Sequence, residues 1–417
     1  MNIERMDPMF KHSIWREQNA ILYFSGTALS KLGDKFYIIA IPWLIYELTQ
    51  SAASMGMMFL FQTLPFILVS PIAGVLADRF PRRTLLFACA LLQGLLVAII
   101  PILSILQVLQ IWHIYFLGFI IASFGAVFSV VNATVVPQLF KKESLIKVNT
   151  TLQFIDTSSV LLGSMLAGIL ISKINVYNVL FLDAFSFFPI AVSILFLTFL
   201  SKEAPSKVTS NSWQQLRDGA NFLLKHSILG PFTLLVLLAN VANGALISML
   251  IYFSREKLLL TSEEIGWVYA GAAVTQIIAI AIVNHLGNKG NHIRLMLNNI
   301  MISGLGIITV SFSWNWQTLL LAVAIQSAPV IMFNVLFKTM RQRLVPSYIF
   351  GRVNGIISML GMGALPLAGF LTGIIAEAID IRFIFFTLGF ISFLVPLRFT
   401  KLTKLNVEEE ERKVTVI

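Results

Sequence analysis

Lys31, Asp34 and Lys35 interrupt a stretch, Asn19 to Leu48, that is otherwise mostly apolar or small. Their i, i+3, i+4 spacing puts all three on one face of a helix, where the carboxylate and the two cations partly neutralise each other. At the centre of a membrane helix each ionised group costs about 2.5–3.5 kcal/mol on insertion scales, so a face carrying three of them must look into protein or a watery cavity. The chemistry open to it is protonation. Asp34 either takes part in coupling or cation handling, or forms a structural pair with its lysines.

Two more carboxyls fall within apolar runs. Asp156 reads as a second protonatable group or as a partner for Lys141, Lys142 or Lys147, with the structural role preferred. Asp183, in the segment "LDAFSF", reads as a helix-packing residue in preference to a transport residue. The proton-coupling candidates are therefore Asp34, Lys31, Lys35 and Asp156. Neutral polar side chains also sit at depth, among them Gln62, Asn132, Gln153, Asn240, Asn243, Gln276, Gln326 and Asn334, and each is either interhelical glue or a ligand contact.

The elements that must hold these residues follow from composition. Of 417 residues 57% are hydrophobic and 12% charged, against roughly 25% charged in an ordinary soluble domain. Apolar stretches of about 20 residues, each long enough to cross a hydrocarbon core of about 30 Å, recur along the whole chain. Hydropathy gives twelve spans, near 19–48, 52–77, 83–106, 111–138, 150–173, 177–200, 227–254, 262–286, 294–312, 316–340, 353–376 and 381–399. Pro42, Pro65, Pro71, Pro101, Pro189, Pro329 and Pro366 lie in or near them, where they permit kinks.

Basic residues concentrate in the loops after even-numbered spans, whereas the opposite loops carry only Lys173, Arg255, Lys257 and Arg382. The positive-inside rule then makes both termini cytoplasmic, and Trp15, Trp43, Trp112, Trp314 and Trp316 fall where interfacial belt residues would. The net charge of +10 is spread through short loops, which argues against nucleic acid as a partner. The charged start lacks an apolar core with a cleavage site, so the first helix is expected to direct insertion. Cys89, the one cysteine, lies in an apolar run and reads as packing.

The longest polar stretch, Ser201 to Lys225, divides the chain nearly in half and reads as a linker with a short amphipathic helix carrying Trp213, Leu216, Phe222 and Leu223. The halves echo each other. Leu166-Ala167-Gly168-Ile169-Leu170 matches Leu367-Ala368-Gly369-Phe370-Leu371, and Val136-Pro137 with Val148-Asn149 matches Val345-Pro346 with Val353-Asn354. A duplicated six-helix unit accounts for this order. The expected organisation is a cytoplasmic segment 1–18, a bundle 19–200, a cytoplasmic linker 201–226, a bundle 227–399 and a cytoplasmic tail 400–417.

No phosphate-binding Gly-x-x-x-x-Gly-Lys-Ser/Thr loop occurs, so direct use of ATP is not expected, and any uphill transport must draw on an ion gradient. His12, His113, His226, His285 and His292 lack zinc-like spacing, and neither a Gly-x-Ser-x-Gly turn nor a catalytic carboxylate pair stands out. The reading is of a non-enzyme without cofactor or metal.

Between the second and third spans, Gly74-x-Leu76-Ala77-Asp78-Arg79-x-x-Arg82-Arg83 places four charges within six positions. Gly74 would let helices approach closely, Asp78 would sit against a helix N-terminus, and the arginines would pair with acids or headgroups. This stretch resembles the signature of the major facilitator superfamily, in which it is taken to stabilise the outward-facing state through contacts between two bundles. More narrowly, "SKLGDKFYIIAIPWLIYELTQSA" (30–52), "FQTLPFILVSPIAGVLADRFPRR" (61–83), "VLFLDAFSF" (179–187) and "FGRVNGI" (350–356) resemble the bacterial drug-exporter branch that includes macrolide efflux proteins.

The resemblance implies an all-α membrane protein of twelve transmembrane helices in two pseudo-symmetric six-helix bundles. It implies a conformational latch at Gly74, Asp78, Arg79, Arg82 and Arg83, and a substrate cavity lined by Asn132, Asn240, Asn243, Gln326 and Asn334. It implies proton-coupled export of hydrophobic or amphipathic compounds by a monomer in the cell membrane, its partners being a small-molecule substrate, protons and the bilayer. An exporter or symporter of an endogenous metabolite or siderophore is the alternative, and a receptor or membrane enzyme a more distant one. Two departures stand out: Leu286-Gly287-Asn288-Lys289 has Asn288 where the first half has Asp78, and Gly163-Ser164-Met165 lacks the proline often found there in antiporters of the family.

Overall fold

In a computed structural model the apolar stretches are helices. Residues 18–140, 144–198, 212–286 and 291–404 are described, and among them are fourteen α-helices and no strand. These are α1 (Gln18–Thr49), α2 (Ala52–Leu68), α3 (Ser70–Arg79), α4 (Arg82–Ile105), α5 (Ile111–Leu139), α6 (Leu145–Ile174) and α7 (Val176–Phe196), followed by α8 (Ser212–Lys225), α9 (Leu229–Glu256), α10 (Ser262–Leu286), α11 (His292–Ser311), α12 (Trp316–Leu344), α13 (Ser347–Ala376) and α14 (Ile381–Arg398). Trp15, His12, Lys141, Lys142, Gly287, Asn288 and Lys289 lie outside the described residues, as do most of the linker and the C-terminal tail.

Ten of these helices are long and apolar enough to cross a membrane. The first two expected spans depart from the rest for physical reasons. α1 runs for 32 residues, but Lys31, Asp34, Lys35 and Glu47 leave no long uncharged window in it. The second is bent: α2 stops at Leu68 and α3 starts at Ser70 with proline in its first turn. Proline has no N–H to donate and crowds the preceding turn, so the rod kinks. It does not break, because the Ala73 N–H still donates to the Val69 carbonyl at 2.8 Å. α8 is the amphipathic linker helix, with Leu223 buried and Leu224 83% exposed.

The helices sort into two compact units, one of Met1–Ile41 with Leu68–Lys207, the other of Pro42–Ile67 with Val208–Ile417. The division runs through α1, so the end of α1 and nearly all of α2 group with the second unit.

Apolar burial alone cannot hold such units together, because lipid tails are as apolar as leucine; close packing and interhelical hydrogen bonds must do so. In the first unit Phe24 and Phe140 stack at 5.7 Å between centroids, amid Leu86, Cys89, Val131, Val135 and Ile194. Asn19 fastens three helix ends: its amide donates to the carbonyls of Leu139 (3.3 Å) and Thr198 (2.7 Å), and its oxygen accepts from Thr198 N–H at 2.8 Å.

In the second unit Phe232, Phe333 and Phe337 form the centre of the apolar core. α2 meets α13 through glycine: a Cβ on Gly373 would stand 2.6 Å from the Ala52 carbonyl and 3.0 Å from the Gly56 Cα. Trp43 is 6% exposed, with the Arg255 guanidinium 4.2 Å above its ring. A cation over the indole face desolvates the ring and satisfies its quadrupole, which draws it inward.

The carboxylate of Glu377 caps the start of α2, accepting from the Ser51 hydroxyl at 2.6 Å and the Ala53 N–H at 2.9 Å. The Ala53 N–H first, then the Ser51 hydroxyl, hold this carboxyl below the usual glutamate range. A carboxyl with a depressed folded-state pKa stabilises the fold above its unfolded value, and that contribution disappears as pH falls through the folded one. Glu377 is exposed, so the effect is small, under about 1 kcal/mol after screening. Thermal unfolding in detergent is expected to show Glu377→Gln less stable than wild type near neutrality and equal to it in acid. A difference that persists in acid would exclude this capping contribution.

Candidate functional site

The charged face of α1 meets α6 within the first unit. Lys31 Nζ lies 3.8 Å from Asp34 Oδ2 and 3.4 Å from Asp156 Oδ1. One ammonium thus serves two carboxylates on two helices. The three side chains are 42%, 36% and 42% exposed, so they are reachable and not sealed into the bundle. Ions at mid-helix that are this open must face water and not lipid, given the cost of the alternative. Asp156, read as a second protonatable group or as a partner for Lys141, Lys142 or Lys147, has Lys31 as its ion-pair partner among the described residues, and Lys141 and Lys142 lie outside them.

Lys35 completes the face and marks the helix crossing. A Cβ at Gly163 would be 2.8 Å from Lys35 Cβ and 3.3 Å from the Leu32 carbonyl. Only glycine lets α6 come this close to α1. Asp183 and Ser186, from α7, abut α1 one residue before Asp34: a Cβ on Gly33 would fall 2.8 Å from Asp183 Oδ1 and would clash with Ser186 Oγ. Asp183 is 0% exposed, while its neighbour Phe185 turns outward.

The neutral candidates are mostly occupied. Asn132 accepts from the Tyr23 hydroxyl at 2.8 Å, and Asn240 donates to the Gly361 carbonyl at 3.1 Å. Gln326 donates to Asn243, and both are buried. Asn334 is exposed on α12. His113 and His226 cap helices, their Nδ1 atoms accepting from the N–H groups of Gln110 and Ile228. Among the described residues no group of three or more His, Cys, Asp or Glu side chains could hold a metal ion.

Of the latch residues, Arg83 donates to the Leu197 carbonyl at the end of α7, Arg82 is half-buried and Arg79 exposed. Gly74 corrects the expectation attached to it: a Cβ there would meet nothing within 4 Å, so it mediates no close helix approach. The side chain of Asp78 lies outside the described set.

Gly33, Ser186 and Asn19 escaped the sequence reading. Gly33 carried one signal, its place beside an intramembrane aspartate. Ser186 and Asn19 carried none, because a single serine or asparagine in a membrane helix is common.

Comparison with known proteins gives the setting. The family model of the Major Facilitator Superfamily matches residues 23–258 and 232–415. The chain is 25% identical over 403 residues to the uncharacterised MFS-type transporter YfiS of Bacillus subtilis (strain 168), spanning 92% of this chain and 93% of that one. It is 22% identical over 367 residues to the multidrug efflux pump Tap of Mycolicibacterium fortuitum, spanning 86% and 89%. In fold it is similar to the nucleoside transporter NupG, with a TM-score of 0.74 at 13% identity over 93% of this chain and 100% of that one. It is also similar to a bacterial homologue of the iron transporter ferroportin in its inward-facing state, with a TM-score of 0.69 at 16% identity over 96% and 100%.

Proposed function

Because this chain belongs to the Major Facilitator Superfamily, we propose that it is a proton-coupled antiporter exporting hydrophobic or amphipathic compounds, macrolide-like drugs among them, by alternating access. That it is a multi-pass membrane transporter and not an enzyme follows from the family, and ten of the described helices are long and apolar enough to cross a membrane. Export draws support from the relative named as a multidrug efflux pump.

The observation that carries proton coupling is Lys31 shared between Asp34 and Asp156 on a reachable face. A proton taken up by Asp34 removes one of the two carboxylates bidding for Lys31, so the ammonium turns wholly to Asp156 and the tie within α1 loosens. Loss of the proton restores it. Protonation is thereby converted into a change in how α1 is held to α6, the kind of differential contact a coupled transporter needs.

In this scheme Asp78, Arg79, Arg82 and Arg83 form the conformational latch, and the two six-helix repeats 19–200 and 227–399 move about a substrate site to which Asn334 contributes. Asn132, Asn240, Asn243 and Gln326 shape that site through the helices they pin. The protein works as a monomer in the cell membrane with both termini cytoplasmic, drawing on the proton gradient and not on ATP.

The test is accumulation of a panel of fluorescent amphipathic dyes and macrolides in cells expressing the protein, with and without a protonophore. Low accumulation that rises with the protonophore is the expected result. No effect of expression across the panel would overturn drug export, and export indifferent to the protonophore would overturn the coupling.

A further inference from the structure

Arg255, near the end of α9, lies over two rings of α1: its guanidinium carbon is 4.2 Å from the ring of Trp43 and 5.4 Å from that of Tyr46. Two carboxylates belong to the same cluster, Glu47 and Glu256, and neither forms an ion pair with it. Glu47 instead accepts from the Trp43 indole N–H at 2.6 Å, and Glu256 from the Tyr46 hydroxyl at 2.8 Å. Each ring thus gives a face to the cation and an edge to an acid. A donor whose hydrogen is drawn towards a carboxylate keeps more electron density on its ring, which strengthens the face that a cation sees. Tyr252 steadies the Tyr46 ring through a T-shaped contact at 6.1 Å.

The seat suits a cation better than it suits arginine. A guanidinium has five N–H donors. Here one of its terminal nitrogens donates to the Leu260 carbonyl at 3.0 Å, while Nε is buried with no hydrogen-bond partner. A buried donor left unmade is a standing cost, recovered when the group returns to water. A quaternary ammonium ion carries its charge on carbon-bound hydrogens and has no donor to strand, and aromatic faces are the surfaces that recognise it. The rim is open, since Glu47 and Glu256 are exposed, whereas Trp43 at the floor is buried. At a rise of 1.5 Å per residue Trp43 lies about 14 Å along α1 from Asp34, so the rings are separate from the charged face that meets α6.

We propose that Trp43 and Tyr46 form a binding site for organic cations of the quaternary ammonium type, and that Arg255 is its built-in occupant, displaced when such an ion enters. Glu47 and Glu256, at the ring edges, supply the countercharge. The exchange gives up the bond to the Leu260 carbonyl and returns the Nε donor to water. It also removes the cation contact by which α9 holds this end of α1. The site stands apart from proton coupling at Lys31, Asp34 and Asp156, and it does not depend on what is exported.

Tryptophan fluorescence of the purified full-length protein in detergent, titrated with tetramethylammonium chloride, reads the site. Sodium chloride at the same ionic strength is the control for screening. The expected result is a saturable change with tetramethylammonium, none with sodium, and none in Trp43→Phe, which lacks the reporting indole. Arg255→Gln is the decisive variant. With the competing cation removed, half-saturation should occur at a concentration at least about tenfold lower, in keeping with the strength of a desolvated cation over an indole face. A residue that only shaped the site would weaken binding when replaced. Half-saturation that is unchanged or raised in Arg255→Gln overturns the proposal, and so does a saturable change that survives Trp43→Phe. Should Arg255→Gln fail to fold, Arg255→Lys replaces it: its compact, strongly hydrated ammonium competes less well for the rings, so half-saturation should again fall, and no fall overturns the proposal.

Discussion

Asp34→Asn is expected to reduce gradient-driven efflux at least about a hundredfold, the order by which a positioned proton-transfer group contributes, while the protein still inserts and folds. The two halves of this prediction have different causes. Folding survives because Lys31 keeps Asp156 at 3.4 Å, and the partly exposed pair that is lost is worth about 0–1 kcal/mol. Transport fails because asparagine, with nearly the shape of aspartic acid, can neither release nor accept the proton, so Lys31 stays committed to Asp156 throughout. Asp34→Glu, which keeps the titrating group but moves it by one methylene, should restore part of the flux. Proteoliposomes with an imposed pH difference, loaded with a compound that the cell assay identifies, give the measurement. Full transport by Asp34→Asn would remove Asp34 from the coupling.

Gly306→Val is expected to destabilise the second unit by about 3 kcal/mol, at the upper end for overpacking. The clash is with main chain and so has no easy relief: a Cβ on Gly306 would lie 2.5 Å from Gln326 N, 2.6 Å from its Cα and 2.7 Å from its Cβ. α11 and α12 would have to part, and the Gln326 side chain would leave Asn243, stranding two buried amides. Gly355→Ala is the control, since a Cβ there meets nothing within 4 Å, and it should be neutral or stabilising by up to about 1 kcal/mol. Unfolding temperature in detergent and the amount of protein reaching the membrane both read the difference. Equal stability of Gly306→Val and wild type would mean that α11 and α12 can separate at little cost.

Which stretches form long apolar helices was legible in the sequence; direction around each helix was not. Hydropathy located α4 through α7 and α9 through α14, because desolvation of the backbone forces long apolar runs wherever the chain crosses. It could not say which side of a helix faces protein, since lipid and helix interior are about equally apolar and leave no polar face to contrast. Asp156 shows the consequence. Among the described residues its ion-pair partner is Lys31, far away in the chain, and no local pattern around Asp156 points there.

The face of α1 was readable for the opposite reason, because three charges at i, i+3 and i+4 do make a contrast. Asn243 and Gln326 were recognised as polar groups at depth, but that they bond to each other depends on the α9 and α12 azimuths, which no local pattern encodes. The surroundings of Trp43 were hidden in the same way, since the Arg255 guanidinium over its ring comes from far away in the chain.

The division into units has a mechanical consequence. Pro42–Ile67 groups with the second unit while the residues on either side group with the first, so one covalent segment is lent across. It is joined at Ile41–Pro42 and at Ile67–Leu68, and prolines lie at both joints: Pro42 at one, Pro65 and Pro71 at the other. Each proline removes a helical hydrogen bond, Pro42 leaving the Ile38 carbonyl without its usual donor. Rotation of the chain at these prolines therefore breaks fewer helical hydrogen bonds than elsewhere along α1 and α2. The charged face of α1 lies less than three turns from the first of these joints, by the pitch of about 3.6 residues, so twisting there and re-pairing of Lys31 act on the same rod.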